Sequence, residues 1–194
     1  MRATLFSSAI ALMAISVCAA PIEYTDLSTF NAAAGAHTIL TFTGLAGGTI
    51  ITSQFAGQGV TFTDGDDRAA LNGAFITDGA GVDANGSISL AFSGLRDSIG
   101  AEYPGGLQFQ LFQGATLVYT SSQFGGSGTG FFAGVTGVTF DHAVISDWVD
   151  SAVFVDNLHF SGQVSGVPEP STAGLFIIAL TLFAGRYCWR RRTA

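Results

Sequence analysis

From residue 22 onward the apolar and polar positions alternate in short runs. Ile-Glu-Tyr-Thr-Asp-Leu at 22–27, His-Thr-Ile-Leu-Thr-Phe at 37–42 and Gly-Val-Thr-Phe-Thr at 59–63 set the pattern. Ser-Ile-Ser-Leu-Ala-Phe at 87–92 continues it, with further runs at 98–103, 107–112, 116–120, 137–140, 143–148 and 153–160. A period of two is that of strands with one buried face. Residues 27–34 break it and predict one or two helical turns capped by Ser28. Glycine-rich stretches at 44–48, 79–86, 105–106 and 125–130 read as turns between strands. About ten short strands without a long helix predict an all-β, antiparallel two-sheet sandwich. A jelly roll is the preferred wiring, with an immunoglobulin-like Greek key as the alternative.

The two ends follow other rules. Arg2 precedes an apolar run from Leu5 to Val17, and Cys18-Ala19-Ala20 stands before Pro21. This is the layout of a secretory signal peptide, with a signal helix and cleavage between Ala20 and Pro21. Lipidation at Cys18 is the competing reading, and Val17 is too large for the position before a lipidated cysteine. At the other end, Val167-Pro168-Glu169-Pro170 lacks two backbone donors and holds an extended conformation. An uncharged run follows from Ala173 to Gly185, and then Arg186, Tyr187, Trp189 and the cluster Arg190, Arg191 and Arg192. A helix over 171–189 is about 28 Å long, close to a hydrocarbon core of about 30 Å. The arginines would hold its end in the cytoplasm. A buried core helix would not end in two aromatic residues and four arginines. The chain thus divides into a leader (1–20), a secreted domain (21–166) and a tail (167–194).

The tail resembles the PEP-CTERM sorting signal of exported bacterial proteins. Val167, Pro168, Glu169 and Pro170 match its motif, and Arg190, Arg191 and Arg192 supply its cluster. The resemblance covers the last 28 residues or so. It implies processing by an exosortase, a membrane-embedded enzyme, near the motif. It also implies release or transfer to the surface of a bacterium that makes exopolysaccharide.

Composition narrows what the secreted domain can do. Thirteen acids against Arg68 and Arg96 leave it near −11, and the chain has no lysine. Such a surface repels nucleic acid. Its glycine loops lack the lysine of a phosphate cradle. Both cysteines, Cys18 and Cys188, lie in the ends, so the domain has no disulfide, thiol nucleophile or zinc–thiolate site.

Candidate chemistry is sparse. Asp64, Asp66 and Asp67 crowd one turn beside Arg68. They read either as a solvated acidic turn that pairs Arg68 or as a calcium site, since calcium takes six to eight oxygens. The spacing is not that of an EF-hand. Asp78, Asp83 and Asn85 echo a single copy of a calcium-binding nonapeptide, a repeat that works only when stacked. Over 153–160, alternation places Asp156 on the face of Phe154, Leu158 and Phe160, where a carboxylate needs a cation or backbone amides. The Val-Asp-Asn-Leu-x-Phe stretch is similar to the last strand of jelly-roll carbohydrate-binding modules that carry a structural calcium. Tyr103 and Trp148 are the candidates for stacking on a sugar. His37, His142 and His159 show no metal-binding spacing, and no nucleophile elbow occurs. The expectation is a non-enzymatic surface or matrix protein. The alternatives are a carbohydrate-binding module and, behind it, a secreted hydrolase.

Overall fold

The structure, a computed structural model, describes residues 20–71, 80–125, 130–149 and 152–162. The expected signal peptide, apart from Ala20, and the whole tail from 167 lie outside the described residues. So do Asp78 and the tip of the glycine loop at 126–129. Among the described residues no helix is long and apolar enough to cross a membrane.

Residues 18–166 form one compact unit. Its spine is a ribbon of two long antiparallel strands, β6 (Ser87–Tyr103) and β10 (Phe131–Ser146). Each had read as two shorter strands. The ladder between them slips twice, between Thr136 and Phe140, where β10 carries the extra residues, and between Phe140 and His142, where β6 does. Four strands flank the ribbon. β3 (Val60–Phe62) lies along the first part of β6, and β12 (Leu158–Ser161) along its end. β7 (Gly106–Gln113) and β1 (Ile22–Tyr24) share the outer edge of β10. Outside these, β2 (His37–Leu40) pairs with β12, and β8 (Thr116–Thr120) and the short β9 (Phe124–Gly125) pair with β7. The second sheet has three strands, β11 (Ala152–Val155), β5 (Ala80–Asn85) and β4 (Arg68–Leu71). Every pairing is antiparallel. The molecule is all-β with two sheets, as expected.

One apolar core joins the sheets. Ile88, Leu90, Phe109, Leu111 and Ile145 of the large sheet pack in the same cluster as Val82, Ala84, Val153 and Val155 of the small one. Burying such side chains stabilises by about 1.5–3 kcal/mol each. The stretch 153–160 is not one strand. It bends at Asp156–Asn157, where the chain leaves β11 and enters β12. Both backbones at the bend bond to Glu102 of β6: Asp156 donates to its carbonyl at 2.8 Å, and its N–H donates to the carbonyl of Asn157 at 2.9 Å. Within the stretch 79–86, read as a turn, Ala80–Asn85 form strand β5. Ala80, Val82 and Ala84 line its buried face, and the glycines around them had read as a turn.

The helix α1 (Leu27–Ala34) is capped by Asp26 rather than Ser28, and the Asp26 carboxylate accepts from the Thr29 N–H at 2.8 Å. It buries Phe30. Beneath that ring, Gly134 of β10 and Gly100 of β6 face each other in register, leaving a flat seat. A second lock closes the end of β12. The buried Arg96 donates to the carbonyls of Ser161 (3.0 Å) and Gly59 (3.1 Å) and lies over the rings of Phe92 and Phe160. The Ser161 hydroxyl accepts from the N–H groups of Asp97 (2.9 Å) and Ser98 (3.3 Å).

Candidate functional site

The acidic turn is the covalent crossing from the large sheet to the small one. β3 ends at Phe62, and the N–H and hydroxyl of the next residue, Thr63, both donate to the carbonyl of Ser89, at 2.9 and 3.3 Å. Gly65, at φ 81°, turns the chain through a conformation that a side chain would resist. β4 then begins at Arg68. The carboxylates of Asp64, Asp66 and Asp67 each offer an oxygen within 4.8 Å of the others. Asp64 is exposed and accepts from Ser87, Asp66 is half-buried, and Asp67 is 0% exposed. The Asp67 backbone carbonyl accepts from Ile51 at 2.8 Å, yet neither carboxylate oxygen has a hydrogen-bond donor. Burial, and then the charges of Asp64 and Asp66, push its carboxyl up to about 7. Arg68 faces Asp83 across the β4–β5 ladder, and its charge partly offsets the rise that burial imposes on that carboxyl.

Asp156 is also 0% exposed but belongs to a different place, the bend beside Glu102, and is not in the acidic cluster. Asn85 is exposed at the end of β5. The two aromatic candidates separate as well. Tyr103 is 1% exposed, packed on Phe131, and its hydroxyl is pushed up to about 12 by burial and by the charge of Asp147. Trp148 is 43% exposed, and its indole N–H donates to the Phe124 carbonyl at 2.7 Å. The two do not form a joint platform.

Pairing of the second strand with the last brings together residues that the sequence kept apart. His37 and His159 lie 122 positions apart, and their ring nitrogens meet at 3.2 Å. The other His37 nitrogen, Nδ1, donates to the Gly35 carbonyl at 2.7 Å, so Nε2 accepts and His159 donates from Nδ1. His159 Nε2 then faces Glu102 at 3.7 Å, whose carboxylate accepts from the Asn157 amide at 3.1 Å. Phe30 and Phe132 set ring edges around His159. Burial, and then the charge of His37, pull His159 down to about 4 against the opposing pull of Glu102. The imidazole is therefore neutral at physiological pH. No local spacing could have found this group.

A shallow, mostly apolar depression of about 380 Å³ is lined by Ala20, Pro21, Gln113, Val118, Gly137, Val138 and Thr139. It holds no carboxylate, imidazole or thiol.

The remaining chemistry lies in the tail. Residues 166–192 match the family model of the PEP-CTERM protein-sorting motif. The tail is a PEP-CTERM sorting motif. The match takes in Val167, Pro168, Glu169 and Pro170 and reaches Arg190, Arg191 and Arg192. A PEP-CTERM tail implies export, processing by an exosortase-type enzyme and sorting to the cell surface. No curated protein matches the chain.

Proposed function

We propose that the chain is an exported surface protein whose β-sandwich has a structural or adhesive role and no catalytic one. The observation that carries this reading is the PEP-CTERM motif at 166–192. In it, residues 171–189 hold the precursor in the inner membrane with Arg190, Arg191 and Arg192 on the cytoplasmic side. An exosortase-type enzyme then cuts near Pro168–Pro170, and the domain joins an exopolysaccharide-bearing envelope. The acidic, cysteine-free domain suits a solvated matrix component. The pairing of β12 beside β2, which returns the end of the chain to its beginning, favours a jelly-roll wiring. A carbohydrate-binding role is the second reading. The exposed indole face of Trp148 favours it, and the burial of Tyr103 weighs against it.

Cell fractionation tests the main reading. The full-length precursor should collect in the inner membrane of cells that lack the processing enzyme, and a shorter product should reach the surface in cells that have it. Deleting Arg190, Arg191 and Arg192 should weaken membrane retention. Identical size and location in both strains would refute the sorting pathway.

A further inference from the structure

We infer that Asp64, Asp66 and Asp67 form a calcium site that clips the two sheets together. Two observations combine. Three carboxylate oxygens converge within 4.8 Å on one turn. Independently, Asp67 is wholly shielded from water, and neither of its oxygens receives a hydrogen bond. Packing alone does not compensate a buried, ionised carboxylate without a donor. Two agents can relieve it, a proton or a cation.

The donor set selects the ion. All three side chains offer hard oxygens, and the cluster holds no imidazole or thiolate, which excludes a soft-metal preference. Calcium takes six to eight oxygens in irregular geometry and keeps waters where the protein supplies too few. Asp64 and Asp66 open the cluster to solvent and leave room for those waters. Magnesium demands a stricter octahedron than a contiguous Asp-Gly-Asp-Asp turn provides.

Position supplies the role. The turn is the direct link from β3 in the large sheet to β4 in the small one. An ion there binds the crossing from its buried side, through Asp67, and from its exposed side, through Asp64. The inference goes beyond the sorting proposal, and its test does not depend on export.

The test uses the full-length chain in detergent micelles, stripped with a chelator and titrated with calcium chloride. Calorimetry should find one ion per chain, with a Kd of roughly 10⁻⁴ M, in the range of extracellular sites. At a hundredfold excess over that value the Tm should rise by roughly 5–10 °C. Asp67→Asn should bind at least tenfold more weakly. In chelator it should melt at or above the wild-type temperature, because it removes a buried charge. Asp64→Asn changes an exposed residue and so tests the site even where Asp67→Asn does not fold. It too should weaken binding at least tenfold, with its Tm in chelator unchanged. The inference is overturned by the absence of saturable binding up to 10 mM calcium, by an equal shift from sodium chloride at matched ionic strength, or by wild-type affinity in both variants.

Discussion

A methyl group added at Gly134 should unseat the helix. Phe30 is the residue through which α1 rests on the large sheet, and it is fully buried. Its ring packs on Phe132 (5.1 Å between centroids), Tyr24 and His37 (5.9 Å each) and His159 (6.1 Å). A Cβ on Gly134 would overlap that ring, coming within 2.9 Å of its Cε2 and 3.0 Å of Phe132 Cε1. Neither ring is the free end of a flexible chain, so α1 must lift or the β6–β10 ladder must shift. Overpacking of this kind costs about 1–3 kcal/mol. Losing glycine's unfolded-state entropy returns about 0.4–1 kcal/mol, since Gly134 does not use left-handed backbone. Gly134→Ala should therefore destabilise by about 1–2 kcal/mol net, a fall in Tm of roughly 2–8 °C. The assay is a thermal or urea melt of the full-length chain in a double-mutant cycle with Phe30→Ala. That change alone should cost about 3–5 kcal/mol. With the Phe30 ring gone, only Phe132 Cε1 remains close and its ring gains the vacated space, so most of the Gly134→Ala cost should disappear, a coupling of about 1–3 kcal/mol. Gly57→Ala, where a Cβ meets nothing within 4 Å, is the control. An equal loss from Gly134→Ala with and without Phe30 would refute the reasoning.

Two further outcomes follow from the buried polar groups. Arg96→Met should cost about 2–4 kcal/mol, measured by urea denaturation, because it leaves the Ser161 and Gly59 carbonyls without their charged donor. A loss under 0.5 kcal/mol would show the lock to be idle. His159, faced by His37 and Glu102, has a folded-state value of about 4, below its ordinary 6.5. The unfolded chain therefore binds the extra proton first. The stability tied to His159 is complete above pH 6.5 and is lost as pH falls towards 4. His159→Gln should flatten the decline in Tm over that window relative to wild type, and parallel curves would contradict the assignment.

What the sequence disclosed depended on the range of the cause. β8 appears with its bounds as read, because a run of β-branched and aromatic residues over Thr116–Thr120 is a local signal. The acidic turn was equally visible, since its three aspartates lie within four positions, but nothing local said that Asp67 alone would be buried. β4 escaped because its two central alanines give no contrast between faces, and β5 because the glycines within and around it read as a turn. Glycines inside β6 and β10 suggested breaks where the structure has a bulge and a continuous ladder. The run 153–160 was read as one strand, and the change of sheet at Asp156–Asn157 divides it. The His37–His159 contact was out of reach, because it follows from which strand becomes the neighbour of which. The tail was readable because its motif consists of contiguous residues and requires no fold.

The placement of β12 has a mechanical consequence. The tail continues from the end of this strand, so tension from an anchored C-terminus enters the domain at Ser161. An edge strand under such a pull peels, and its bonds break one after another. β12 is an interior strand, held by β2 on one side and β6 on the other. The Ser161 contacts with Arg96, Asp97 and Ser98 sit at the point of loading. Both ladders and this clasp must yield together. A domain pulled from this end bears load through its centre rather than unravelling from its rim.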